Sequence, residues 1–232
     1  DYTGKVSDTK FDIDRGFYQS PFNVKITTKT KGSTIIYTID GSNPSLDNGT
    51  KVVNEDPQQQ ISATLYIDKT TTLRAAAFKQ GLIPSNIDTQ TYLFLDDIVT
   101  QTERPEGYPY PWVSRNGQSI EGDYGMDPNV VGKLYSLEEI KESLLDIPTV
   151  SIVTDKNNLF GTQSGIQVNP RDSGSSSERE ISIEFINFEN SENSQENAGI
   201  RMNGNASRLV SRPKHNLRVI FRDDYGLSLI HI

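Results

Sequence analysis

Between Arg201 and Arg222 the chain carries Arg201, Arg208, Arg212, Lys214, Arg218 and Arg222 and no acidic residue. The 232-residue chain has a formal net charge of −8, so this stretch reverses the local sign. From Lys214 onward a period of two puts Lys214, Asn216, Arg218, Ile220 and Arg222 on one strand face. His215, Leu217, Val219 and Phe221 fall on the other. The first face is mostly cationic, and the second is expected to seek a core. Upstream, Asn203-Gly204 supplies residues that tolerate positive φ in a tight turn. Backbone N–H groups around such a turn can form a nest for an anion. A small-residue loop followed by a strand lysine is one way to hold nucleotide phosphates. The same residues also suit an ordinary turn beside a solvated basic strand, and on these residues alone that plainer reading is the stronger.

The elements that must position these residues follow from patterning. The period of two marks Phe22–Ile26 and Ile35–Ile39 as strands, with Asp40-Gly41 closing the second. Further strands are expected at Thr64–Asp68, Thr72–Lys79 and Thr89–Leu95, with residues 45–62 as a polar loop. Three alanines in Thr72–Lys79 favour helix, but the turn spacing favours strand. Asp40 reads as a turn aspartate, and Tyr37, Tyr66 and Tyr92 as residues packing a sheet rather than stacking on sugar. Together these imply a β-sandwich over residues 1–97.

Residues 98–135 read as a Pro- and aromatic-rich connector, extended because each Pro restricts its neighbour. Trp112 is expected to anchor it. Asp123 and Asp127 lack the ligand spacing of a calcium loop. Ser136–Leu145 is a helix with a capping box, Ser136 and Glu139, and an apolar stripe of Leu137, Ile140, Leu144 and Leu145 for packing. Thr149–Thr154 and Arg179–Phe188 read as strands, Asn190–Asn197 as a mobile acidic loop, and Ala198–Arg222 as strand, loop, strand. The fold class is thus mostly β with some α.

Composition excludes several functions. The pI near 4.9 leaves no broad basic surface for nucleic acid. No run approaches the roughly 18 apolar residues of a membrane span. There are no cysteines and only two histidines, so thiolate and His-rich metal sites are excluded.

Two resemblances add to this. Gly16-Phe-Tyr, Ile36-Tyr-Thr-Ile-Asp-Gly-Ser-Asn-Pro44, Thr70–Lys79 and Pro84-Ser85 resemble the fibronectin-III-like domain at the C-terminus of chitobiases and β-hexosaminidases. That resemblance implies an accessory module without catalytic residues. Pro148–Gly161, Gly165–Pro170, Gly199–Arg208 and Pro213-Lys-His215 resemble the spore-coat-H (CotH) kinase-like family over about 147–226. Residues 136–226 would then be the N-terminal part of an α+β atypical-kinase-like domain, cut short. The resemblance implies a secreted or surface parent that transfers phosphoryl from ATP with Mg to a protein or surface polymer. Lys214 would contact the phosphates, and Arg201, Gly204, Asn205 and Ser207 would build or brace the loop. Its catalytic carboxylates would lie downstream, so this chain is expected to have no kinase activity. The alternative is a non-catalytic adhesion or scaffold module at the cell surface, possible partners including polysaccharide.

The chain starts at Asp1 without a visible leader. Leu227–Ile232 coincides with one translation of a common transposon-end adapter and is expected to be foreign, so His231 is given no role.

Overall fold

The computed structural model describes residues 2–54, 56–188, 192–209 and 214–225. The chain is mostly β with a few short helices, and it divides into two units. The first takes in 1–95 and 184–195, and the second 96–183 and 196–232.

The first unit contains β1 (Thr9–Phe11), β2 (Gly16–Phe17), β3 (Phe22–Thr28), β4 (Thr34–Thr38), β5 (Thr50–Val53), β6 (Ser62–Ile67), β7 (Thr71–Phe78) and β8 (Asp88–Leu93). They form a three-stranded sheet, β1-β3-β6, and a five-stranded sheet, β2-β8-β7-β4-β5. The core is the layer between them. Val24 and Ile26 of β3 and Ala63, Leu65 and Ile67 of β6 meet Ile35, Leu73, Ala75 and Tyr92. β6 shows the period of two directly: Ser62, Thr64 and Tyr66 are exposed while the intervening residues are buried.

β7 settles the competition between helix propensity and strand pattern. It is hydrogen-bonded on both sides, to β4 and β8, and Ala75, Ala76 and Ala77 are fully buried. Burial inside a sheet overrides a propensity worth only tenths of a kcal/mol per residue. Of the three tyrosines, Tyr92 lies in the core, its hydroxyl donating to the Ile13 carbonyl, and Tyr37 packs against the core. Tyr66 is the exception, 63% exposed, because its strand parity turns it outward. Asp40 is a turn residue: its carboxylate accepts from the Ser42 N–H and hydroxyl.

The second unit holds α1 (Leu95–Val99), β9 (Trp112–Val113), β10 (Ser119–Ile120), α2 (Leu137–Leu145), β11 (Thr149–Val153), α3 (Lys156–Phe160), β12 (Arg179–Ile186), β13 (Ser194–Met202) and β14 (Leu217–Ile220). Strands β11-β12-β13-β14 form one sheet in that order. The turn side of the β12–β13 pair, 184–195, counts with the first unit. Trp112 is buried against Phe160, with ring centroids 5.3 Å apart, and its indole N–H donates to the Tyr124 hydroxyl.

Three expectations are corrected here. α2 has both halves of its capping box, but none of its residues is buried; Leu137 and Leu145 lie at the surface, so its stripe is not a packed face. Residues 194–197, read as loop, open β13, since pairing with β12 extends the strand beyond its apolar part. The face of His215, Leu217, Val219 and Phe221 is not core: Leu217 is 44% exposed and the others half-buried. Among the described residues β14 has a neighbour strand on one side only. The suggested foreign segment Leu227–Ile232, and Arg212 and Pro213, lie outside the described residues.

Candidate functional site

In the second unit, β13 and β14 pair antiparallel so that Arg201 stands opposite Arg218. Cross-strand neighbours have Cβ atoms about 4.5–5.5 Å apart, and like charges there repel. Neither guanidinium has a hydrogen bond or ion pair among the described residues. Beyond β13 the chain turns sharply. Gly204 has φ +90°, and a Cβ there would run into Ser207 Oγ. That hydroxyl donates back to the Asn203 carbonyl at 3.1 Å, and the Asn203 N–H donates to the Asn216 carbonyl at 2.8 Å. Gly204 and Ser207 are thus brought together in a self-bonded turn. Asn205 is exposed and its side chain caps nothing.

The other cations are spread differently. Lys214 is 86% exposed, with Nζ 3.6 Å from the Asp123 carboxylate. Arg222 pairs with Glu178 at 3.0 Å. Glu178 also accepts from the Tyr225 hydroxyl at 2.8 Å. Burial first, and that carboxylate second, push the Tyr225 hydroxyl up to about 12. The carboxylate and the Tyr225 ring press on Gly199, where any Cβ would lie 2.7 Å from both. Burial lowers the His215 pKa, the Leu209 carbonyl offsetting this only in part. Two of the five described cations therefore meet carboxylates from far along the chain, Asp123 and Glu178, which spacing alone does not reveal. No group of three or more His, Cys, Asp or Glu among the described residues is placed to hold a metal. No helix among them is long and apolar enough to cross a membrane.

The first unit carries a groove of about 400 Å³, where β7 runs into the 79–82 turn. Tyr2, Leu46, Phe78 and Pro84 give it apolar walls, and Lys79 and Gln80 a polar rim. The N-terminal segment is laid beside it by Thr3, whose N–H donates to the Gly81 carbonyl at 3.0 Å. Lys79 Nζ is fixed on the Lys31 carbonyl at 2.7 Å. Tyr2 stays 67% exposed, a flat ring open to solvent. Among the described residues no carboxylate lines the groove. Sequence reasoning missed it because its walls come from four separate segments.

Residues 13–89 match the family model of the Chitobiase/beta-hexosaminidase C-terminal domain. The first unit therefore contains a domain of that type. The kinase-like resemblance of the later residues rests on their motifs alone. No curated protein matches the chain. Among solved structures, extracellular domains 3-5 of Drosophila OTK align with 85% of this chain and 67% of that chain, at 10% identity and a TM-score of 0.28. A likeness that slight carries no argument.

Proposed function

We propose that this chain is a non-catalytic, carbohydrate-associated part of a secreted or cell-surface protein. The observation that carries the reading is the match of residues 13–89 to the C-terminal domain type of chitobiases and β-hexosaminidases. The groove beside that domain suits the role. Aromatic and aliphatic walls can take the apolar face of a sugar ring while Lys79 and Gln80 meet its hydroxyls. The first ligands to test are hexosamine oligosaccharides, in keeping with the names of the enzymes that carry this domain type. Tyr2→Ala should weaken retention on chitin or a soluble chitooligosaccharide by about fivefold or more, with the melting curve unchanged. Absence of retention of the intact chain on any polysaccharide in a pull-down panel would refute the reading.

The second reading is that the parent is an atypical kinase of the CotH type, using ATP and Mg. The opposed Arg201 and Arg218 beside the Gly204 turn favour it, since two unpaired cations at one place suit a polyanion. Lys214 supports it least, being solvent-directed and paired with Asp123. Mg-ATP binding to the intact parent, measured by calorimetry, should be lost in Lys214→Ala. Unchanged affinity would remove Lys214 from that role.

A further inference from the structure

The second unit contains a separate hollow of about 380 Å³, lined by Arg115, Gln163, Asp172 and Arg179 and by a run of serines that includes Ser164 and Ser176. We propose that it binds a small anionic sugar, one bearing a carboxylate or a phosphate. This does not rest on the glycan reading of the first unit, which concerns other residues.

The charge balance comes first. Arg115 is ion-paired with Asp172. Arg179 is held without any carboxylate: Nε donates to the Ser164 carbonyl at 3.0 Å, and Nη1 to the carbonyls of Ser176 and Glu178 at 3.0 and 2.8 Å. Nη2 makes a further bond to the Ser164 carbonyl. Its neighbour Glu178 is engaged elsewhere, by Arg222 and Tyr225. A third guanidinium, Arg208, donates from Nη1 to the Asp172 carbonyl, while its buried Nε has no partner among the described residues. Two guanidiniums, Arg115 and Arg179, therefore line the hollow with one carboxylate, Asp172, and Arg208 reaches the backbone of that aspartate, in a chain whose net charge is −8. An excess of cations over carboxylates costs repulsion, which a bound anion offsets.

The remaining valences describe the ligand. Arg115 donates from Nη1 to the Gln163 carbonyl at 3.3 Å and from Nη2 to Asp172. Guanidinium has five N–H groups, and these two bonds leave Arg115 with N–H groups that have no partner among the described residues, in a fork suited to an oxyanion. The hydroxyls of Ser164, Ser173 and Ser176 and the Gln163 amide have no partner among the described residues. Among the described residues the walls hold no aromatic or aliphatic side chain, which disfavours an apolar ligand. The volume lies within the range of small-molecule sites, about 300–1,000 Å³, and far exceeds one inorganic ion. An oxyanion on a polyhydroxylated body fits the charge, the donors and the size together. The pinning of Arg179 by four bonds also lowers the ordering cost of binding.

The test is calorimetric titration of the intact chain with digalacturonate, glucose 6-phosphate, glucose and inorganic phosphate. At least one anionic sugar should bind about tenfold more tightly than glucose and than phosphate alone. That binding should weaken about fivefold or more in Arg115→Gln, and again between low and physiological salt. Ser176→Leu fills the hollow while keeping the carbonyl that holds Arg179, and should have the same effect. A response to digalacturonate alone assigns a carboxylate ligand, and to glucose 6-phosphate alone a phosphate ligand. No binding of either sugar at about 10 mM, equal binding of glucose, equal binding of phosphate, or indifference to both substitutions would each overturn the proposal.

Discussion

Glu184 has no exposed surface, yet it carries a carboxylate. Its Oε1 lies 3.1 Å from Arg15 Nε and accepts from the Thr91 N–H at 3.0 Å, while the Thr91 hydroxyl donates to Oε2. Arg15 in turn donates from Nη2 to the Thr89 carbonyl at 3.1 Å. The Nε contact is charge against charge rather than an aligned hydrogen bond. A buried pair of this kind adds little net stability over an apolar pair, but breaking one side strands the other. Glu184→Ala should therefore cost about 3–5 kcal/mol in urea unfolding. The double variant Arg15→Met, Glu184→Met should recover most of that loss. Equal losses in the single and double variants would show that the pairing itself contributes nothing.

The elements show which parts of the fold could be read from residues and which could not. β3 and β4 announce themselves by alternation, β7 by the spacing of turns against its three alanines, and Ser136 with Glu139 announces α2. β5 does not, because Thr50–Val53 is an edge strand with almost every residue exposed, leaving no apolar face to detect. The start of β13 is hidden for a related reason: Ser194–Asn197 is polar and becomes strand through its partner. The candidate site was less legible than the fold. The turn at Gly204 was readable from Asn203-Gly204, but the partners of Lys214 and Arg222 lie 91 and 44 residues away in sequence, and only folding brings them in. β7 offers the sharpest test of an element. Its alanines are a packing requirement, with β4 and β8 alongside and Ala76 1% exposed. Ala76→Leu should destabilise by about 1–3 kcal/mol through overpacking, read as a lower denaturant midpoint. A shift within error would mean that the sheet has room beside β7.

At the scale of the whole molecule, acidity and the half-buried carboxyl of Asp88 set the response to pH. Asp88 is raised from its ordinary value to about 6, chiefly by burial, against the hydrogen bond from Thr9 that opposes the rise. Its folded value exceeds its unfolded one, so the folded chain binds the proton more readily. Stability from this group is absent well above pH 6, grows as pH falls through 6, and is complete below the ordinary carboxyl value, at most about 3 kcal/mol. A net charge of −8 works in the same direction, because self-repulsion shrinks as the pI near 4.9 is approached. Glu139 acts oppositely: the Ser136 N–H and hydroxyl lower its pKa, so its contribution is present at neutral pH and is lost only below the ordinary carboxyl range. Between pH 7.5 and 5 the unfolding midpoint should therefore rise, where acid more often weakens a protein. Asp88→Asn keeps an acceptor for Thr9 and removes the titration, so it should be more stable than wild type at pH 7.5 and should follow a flatter profile. Parallel profiles for the two proteins would assign the whole rise to net charge and none of it to Asp88.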